Sequence, residues 1–555
     1  MRDDATLLDF ACGWEDAAAD RCWLTQPMGE GRVETWTWKR GMDETRRMAA
    51  YLESLGLPPG SRIALCSKNC AWWFMADLAI WMAGHVSVPL YPILTAEIVG
   101  HILEHSQARL LLVGKLDPVW EQMKAGLPAS LPRVALPLSP PSDAPRWDDL
   151  VAANAPLAGP AARAPGEVAT IVYTSGSTGR PKGAMLSFGA MSACARHLST
   201  FFRVGPADRW LSYLPLAHAM ERVFVEATGL HAGCQVFFAE SLDTFLADLR
   251  RARPTLFLSV PRLWMKFQAG VFEKVPPAKL ERLLKVPVLG GLVKGKILRQ
   301  LGLDRVRVAG SGSAPIPAEV IAWYRRLGLE LLEGYALTEN SGYSHIGRPG
   351  QVRPGYVGPP MPGVECRLSE EGEILVRSPG DMLGYFRDPA ATAQAFTPDG
   401  FLRTGDLGEV DESGRLRVTG RVKELFKTAK GKYVAPAPIE NRLLNHPAVE
   451  QCCVCGSGYP QPHALVVLSE EARRRLAAAG KADLERELAD HLREVNRDLP
   501  RYEQLEFVAV VGDQWLPENG FLTPTLKVKR ARIESQYGPL AQWWYDEKKA
   551  VVWES

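Results

Sequence analysis

The chain has 555 residues, 46% of them hydrophobic and 23% charged, and its 65 basic and 63 acidic side chains leave a net charge of +2. That length exceeds what one hydrophobic core organises, so two or more domains are expected, and the composition is that of a soluble globular protein rather than a disordered or fibrous one. The balanced charge gives no ground for a nucleic-acid partner.

Met1 is followed by Arg2, Asp3 and Asp4 with no apolar run of signal-peptide type, so the ten cysteines are expected to be reduced thiols of a cytoplasmic protein. Residues 40–56 have helical spacing and stop at Gly56, ahead of Pro58-Pro59-Gly60. The short apolar runs at 62–66, 86–90 and 108–113 read as buried strands and 71–83 as a helix, an alternation that implies βα units and a largely parallel sheet. The apolar stretch from Trp72 to Tyr91 is interrupted by Asp77, His85 and Pro89, so no transmembrane segment is expected. Peripheral contact at the inner face of a membrane is left open. Residues 125–165 are rich in Pro, Ala and Ser and read as a surface connector. The alternation resumes over 210–345. Short strands between Gly, Pro and Asp turns over 363–418 suggest a β-rich subdomain, and 432–535 reads as an α+β unit with one charged helix from about 469 to 497. Cys452, Cys453 and Cys455 lack a second Cys/His pair at zinc spacing and are read as part of a buried strand.

The most informative segment is Ile171-Val-Tyr-Thr-Ser-Gly-Ser-Thr-Gly-Arg-Pro-Lys-Gly183. An apolar strand enters a loop of glycines and small hydroxyl residues and leaves through a lysine. Glycines let backbone N–H groups surround a phosphate. Thr174, Ser175, Ser177 and Thr178 add neutral donors, Gly176 and Gly179 supply the close approach, and Lys182 adds a point charge. The combination suits the polyphosphate of ATP. It is not a Walker A loop, because no glycine directly precedes Lys182.

This loop resembles the signature of the adenylate-forming superfamily, which includes acyl-CoA synthetases, nonribosomal adenylation domains and luciferases. Four further segments follow in family order. Trp210-Leu-Ser-Tyr-Leu-Pro-Leu-Ala-His-Ala-Met-Glu-Arg222 is similar to the stretch lining the acyl and nucleotide sites, with wording nearest to long-chain fatty acyl-CoA synthetases. By that resemblance His218 stands beside the substrate carboxylate and gates the acyl tunnel. Val308-Ala-Gly-Ser-Gly-Ser-Ala-Pro315 resembles the adenine-edge loop, carrying Gly312, Ser313 and Ala314. In Glu333-Gly-Tyr-Ala-Leu-Thr-Glu-Asn340, Tyr335 offers an aromatic face to adenine, Thr338 a donor to phosphate, and Glu339 a hard oxygen for the Mg²⁺ that accompanies ATP. Ala336 stands where the family usually has Gly. Phe401-Leu-Arg-Thr-Gly-Asp406 resembles the segment whose aspartate takes both ribose hydroxyls, and Arg421 is the family's second ribose or phosphate contact.

The resemblance implies an α/β protein. A large N-terminal domain over 1–420 would hold two mainly parallel α/β sheet subdomains and a β-rich subdomain. A hinge over 421–424 centred on Lys423 would lead to a smaller, mobile α+β C-terminal domain over 425–555. Gly431 would lie in the loop presented to coenzyme A. Leu522-Thr-Pro-Thr-Leu-Lys-Val-Lys-Arg530 resembles the C-terminal lysine motif, with Lys527 as the catalytic lysine and Lys529 as the competing assignment. The implied activity joins a fatty acid of long or medium chain to coenzyme A through an acyl-adenylate, with ATP as co-substrate and release of pyrophosphate. The alternatives are a ligase that stops at the adenylate or loads a carrier protein, and an inactive acyl- or nucleotide-binding regulator.

Overall fold

The computed structural model describes residues 4–174, 180–523 and 527–554. Its N-terminal part is built on two mainly parallel sheets. The first has seven strands in the order Gly384–Tyr385, Lys182–Ser187, Val168–Thr174, Val86–Leu90, Arg62–Cys66, Leu110–Val113 and Arg133–Ala135. The five strands from Val168–Thr174 onward are parallel, and the two outer ones at the other edge are antiparallel. The second is made of two four-stranded halves. One orders Arg32–Thr37, Cys22–Gly29, Gln235–Phe238 and Arg209–Ser212, and the other Leu256–Ser259, Val308–Ser311, Leu331–Tyr335 and His345–Ile346. A backbone bond from Thr255 N–H to the Arg209 carbonyl joins the halves.

The helix Ala71–Met82 is buried along its whole length. It carries Trp72, Trp73, Phe74 and Trp81 and has no polar stripe, because apolar neighbours cover it on every side. Trp23 stacks on Trp38 at 4.4 Å and Trp36 meets Trp72 edge-on at 5.2 Å, extending this core to the N-terminal strands. Each such ring contributes about 1.5–3 kcal/mol through burial alone.

An antiparallel sheet of Glu365–Leu368, Glu373–Arg377, Leu402–Val410 and Leu416–Arg421 follows. From Phe426 onward the chain builds separate cores around the strands Val449–Cys455, His463–Leu468, Val508–Val510 and Val551–Trp553. Cys452, Cys453 and Cys455 lie buried on the first of these strands. The aromatic C-terminal tail supplies the last strand, and Trp544 is fully buried beneath it.

Two sequence expectations are corrected. The stretch 125–165 is more than a connector: Arg133–Ala135 is the edge strand of the seven-stranded sheet, and the helix Trp147–Ala153 is anchored by a fully buried Trp147. The proline-rich composition hides a strand of three residues. The charged region expected as one helix is two, Glu470–Ala479 and Ala482–Arg497, because Gly480 takes a φ of +78° and ends the first.

Candidate active site

Ligands of parallel α/β sheets gather at the carboxyl ends of the strands, and the candidate residues collect there. Val168–Thr174 and Lys182–Ser187 form a hairpin in which Thr174 pairs directly with Lys182, so the two ends of the phosphate loop are clamped together. Ser175, Gly176, Ser177, Thr178 and Gly179 lie outside the described residues. The Lys182 ammonium sits 5.2 Å from the centre of the Tyr385 ring. The Tyr385 hydroxyl donates to the Glu339 carboxylate at 2.9 Å. Burial, and then the charge of Glu339, raise the Tyr385 phenol above its ordinary range, so it remains a donor. One tyrosine thus links the lysine of the candidate phosphate loop to the candidate magnesium ligand. Sequence reading missed it, since Gly384-Tyr385 carries no signal until the strand is seen to pair with Lys182–Ser187.

The strand Val308–Ser311 leads into Gly312, where a Cβ would touch the Gly334 carbonyl and the Met220 sulfur. Ser313 turns the chain with a left-handed φ of +68°, and Ala314 is exposed beyond it. The strand Leu331–Tyr335 ends just before a single 3₁₀ turn, Thr338–Asn340, that carries Thr338 and Glu339. Ala336 has no left-handed φ, so its methyl group adds no backbone strain.

Asp406 and Arg421 face each other across the antiparallel pair Leu402–Val410 and Leu416–Arg421. Arg421 Nε donates to Asp406 Oδ1 at 2.7 Å, and the Tyr335 hydroxyl donates to Oδ2 at 2.7 Å. Asp406 is 3% exposed, so a carboxylate sits at the floor of the site with both oxygens already oriented. Burial opposes the charge on Arg421, but Asp406 outweighs it and the guanidinium is held more firmly protonated.

His218 caps the short turn Ala219–Glu221, its Nδ1 accepting from Met220 N–H at 3.2 Å. That bond leaves the proton on Nε2. Burial, and then the nearby charge of Lys527, push the imidazole down to about 4. The loop before it is braced from below. Glu221 accepts from Ser212 Oγ at 2.8 Å, Tyr213 N–H at 3.0 Å and Asn69 Nδ2 at 3.3 Å, while Asn69 Oδ1 accepts from Leu216 N–H at 3.2 Å. Past Glu221 the chain winds as a π-helical turn, Arg222–Ala227, a form frequent at functional sites. Arg222 is fully buried there against Asp77 at 2.6 Å.

Among the described residues, the paired segments ending at Thr523 and beginning at Lys527 bring the C-terminal part to this half-site. Thr523 N–H bonds the Lys527 carbonyl at 2.7 Å, Lys527 N–H bonds Thr523 Oγ1 at 3.0 Å, and Lys529 N–H bonds the Phe521 carbonyl at 2.8 Å. Lys527 is reached by solvent, yet its ammonium is held below the usual lysine range, first by the crowding of protein around it and then by Arg421. Asp406, Glu339 and Glu424 pull the other way. Lys529 feels only partial burial. Of the two lysines, Lys527 is therefore the one within electrostatic reach of the aspartate, glutamate and histidine of the N-terminal part. Lys423 lies in the 3₁₀ turn Val422–Glu424 between the two parts. Gly431, with a φ of +75°, turns the small hairpin Phe426–Lys427 and Tyr433–Val434.

Residues 14–386 match the profile of the AMP-binding enzymes, and 424–549 that of the AMP-binding enzyme C-terminal domain. The chain belongs to this adenylate-forming family. Among curated relatives, the chain is 33% identical to the long-chain-fatty-acid–CoA ligase FadD15 of Mycobacterium bovis, covering 90% of each chain. It is 31% identical to the peroxisomal long chain acyl-CoA synthetase 6 of Arabidopsis thaliana, over 92% of this chain and 81% of that one. Among solved structures, the adenylation domain of a carboxylate reductase from Mycobacterium chelonae superposes with a TM-score of 0.81 at 24% identity, covering 98% of this chain and 91% of that one. That last likeness carries the fold. The protein is thus an ATP-dependent acyl-activating enzyme of the AMP-forming acyl-CoA ligase family. No helix among its described residues is long and apolar enough to cross a membrane.

Proposed function

We propose that the protein activates a fatty acid, of long or medium chain, as its acyl-adenylate and transfers the acyl group to coenzyme A. The observation that carries this reading is that Lys527, on the C-terminal part, lies within electrostatic reach of Asp406, Arg421, Glu339 and His218 of the N-terminal part. A cation delivered there suits a reaction in which negative charge builds between a carboxylate and an α-phosphate. The fatty-acid substrate is supported by the names of relatives about 30% identical over most of the chain.

In the proposed first step a carboxylate oxygen of the acid attacks the α-phosphorus in line, and pyrophosphate leaves. Lys182 and Thr338 neutralise and orient the phosphates, Asp406 fixes the ribose, and Lys527 bridges the carboxylate and α-phosphate as the bond forms. No protein nucleophile is acylated. Glu339 fits a magnesium ligand: it is a hard carboxylate with one oxygen oriented by Tyr385. No cluster of three or more His, Cys, Asp or Glu among the described residues offers an all-protein cage. Magnesium characteristically takes one or two carboxylates plus substrate phosphates, and when bound it would offset the charge of the leaving pyrophosphate. His218, neutral at pH 7, lines the acyl side without competing for the carboxylate as an ion pair.

In the second step the C-terminal domain turns about Lys423 and withdraws Lys527. The Gly431 hairpin is then presented, and the thiol attacks the acyl carbonyl with AMP leaving.

The test follows pyrophosphate release and coenzyme A thiol consumption together, over straight-chain, branched and aromatic acids with Mg·ATP. Release with thiol loss, best for a straight-chain acid of medium or long chain, is expected. Release without thiol loss would make a carrier protein the acceptor. Neither signal with any acid would overturn the activity.

A further inference from the structure

Between the helices Pro277–Lys285 and Leu289–Leu301 the chain turns sharply at residues that the fold leaves uncovered. Val286, Val288, Leu289 and Leu292 are 45%, 83%, 41% and 63% exposed. The inward sides of the same helices are already satisfied: Leu280, Ile297 and Leu301 pack into the second core of the N-terminal part. The exposed side chains are therefore an additional apolar tip, not a displaced core face. Val288 is held outward by a γ-turn, with φ +65° and a bond from Leu289 N–H to the Pro287 carbonyl at 2.7 Å. A β-branched residue rarely takes that conformation.

The charges around the tip are predominantly basic. Lys279, Arg282 and Lys285 precede it, and Lys294 and Lys296 follow it. The single acid between residues 274 and 299 is Glu281, which faces Arg326 at 3.9 Å. Aliphatic residues at a protruding turn, set among lysines and arginines, have the chemistry of an interfacial membrane element. The aliphatic groups enter the acyl boundary while the basic groups stay with anionic headgroups. A protein partner would be better matched by aromatic anchors, and the exposed tip has none.

We infer that this helical hairpin is a membrane-docking tip that seats the protein on an anionic bilayer. The inference stands apart from the acid that the enzyme activates, since it concerns only where the protein rests. A built-in comparison exists within the molecule. Leu242 is 90% exposed but lies between Glu240 and Asp243, so it lacks the basic surround.

The test is sedimentation of the full chain with phosphatidylcholine vesicles, with and without phosphatidylglycerol. Wild type is expected to sediment with the anionic vesicles, weakly with the neutral ones, and less at high salt. Arg282→Ala and Lys285→Ala should each lower partitioning about fivefold. Val288→Ser with Leu292→Ser should lower it further at unchanged melting temperature, whereas Leu242→Ser should leave it unchanged. Failure of wild type to bind anionic vesicles would overturn the inference. So would tip variants that melt normally and bind like wild type, an equal loss in Leu242→Ser, or retention by soluble polyglutamate in place of vesicles.

Discussion

The two sides of the site are held in contrasting ways. On the N-terminal side, buried and part-buried bonds from segments distant in sequence hold each group. Asp406 is fixed by Tyr335 and Arg421, Glu339 by Tyr385, and the His218 loop by Glu221 and Asn69. On the C-terminal side, one solvent-accessible lysine arrives on a hairpin secured by its own local bonds. The ion pair between Arg262 and Glu450, half-exposed on the arginine side, ties the two parts together elsewhere. The first arrangement preorganises donors and charges. The second suits the proposed mechanism, in which Lys527 is delivered for one step and withdrawn for the other.

The sharpest way to break this comparison is Lys527→Ala. In the proposed mechanism Lys527 acts only while the adenylate forms, so its loss should slow that half-reaction about 10²–10³-fold. Thioester formation from supplied acyl-adenylate should stay within a few-fold of wild type. Equal losses in pyrophosphate release and in thioester production would mean that the lysine is not withdrawn between the steps.

Next in size is the brace beneath His218. Glu221→Leu leaves the Ser212, Tyr213 and Asn69 donors without their acceptor, costing about 2–4 kcal/mol of stability and up to about 10²-fold in kcat through a displaced loop. Burial pushes the Glu221 carboxyl up to about 8 from an ordinary 4.5. The folded state therefore binds this proton more tightly than the unfolded chain. The resulting stabilisation is complete below about pH 4.5 and is lost as pH rises through 8. Glu221→Gln should keep the loop in place and flatten the fall in melting temperature over that interval. A wild-type profile in the Gln variant would reassign the proton.

How far the string alone reached follows the same division. The loop at Thr174–Lys182, the Tyr335–Glu339 segment and the Lys527 hairpin could be named because their chemistry is carried by neighbours in sequence. The α/β class and the strands around 62–113 were legible from apolar periodicity. Tyr385, Asn69 and Glu221 were not. Their roles arise when strands far apart in sequence are brought side by side: Asn69 meets Leu216 across 147 positions and Tyr385 meets Glu339 across 46. The strand Arg133–Ala135 escaped notice because three residues in a proline-rich stretch leave no period to read.

A smaller effect is expected from Tyr385→Phe. The ring beside Lys182 is kept while the bond to Glu339 is lost, so the Michaelis constant for Mg·ATP should rise about tenfold, with less change in kcat. Tyr385→Ala removes both contacts and should exceed it. Equal effects from the two substitutions would remove the hydroxyl from the account.

The smallest effect concerns the tie between the two parts. Arg262 and Glu450 have 54% and 24% of their side-chain surfaces exposed, so the pair contributes at most about 1 kcal/mol. Arg262→Ala should therefore slow adenylation by no more than about fivefold. Thioester formation from supplied adenylate should be unchanged or faster, because the proposed turn about Lys423 would part Arg262 from Glu450. High salt should slow wild type toward the variant and leave the variant unaffected. Exchanging the charges, Arg262→Glu with Glu450→Arg, should recover only part of the loss, since Arg473 also faces Glu450 at 3.6 Å and would meet a like charge. A variant that slowed both half-reactions equally would show that Arg262 acts on the N-terminal fold rather than on the docking of the two parts.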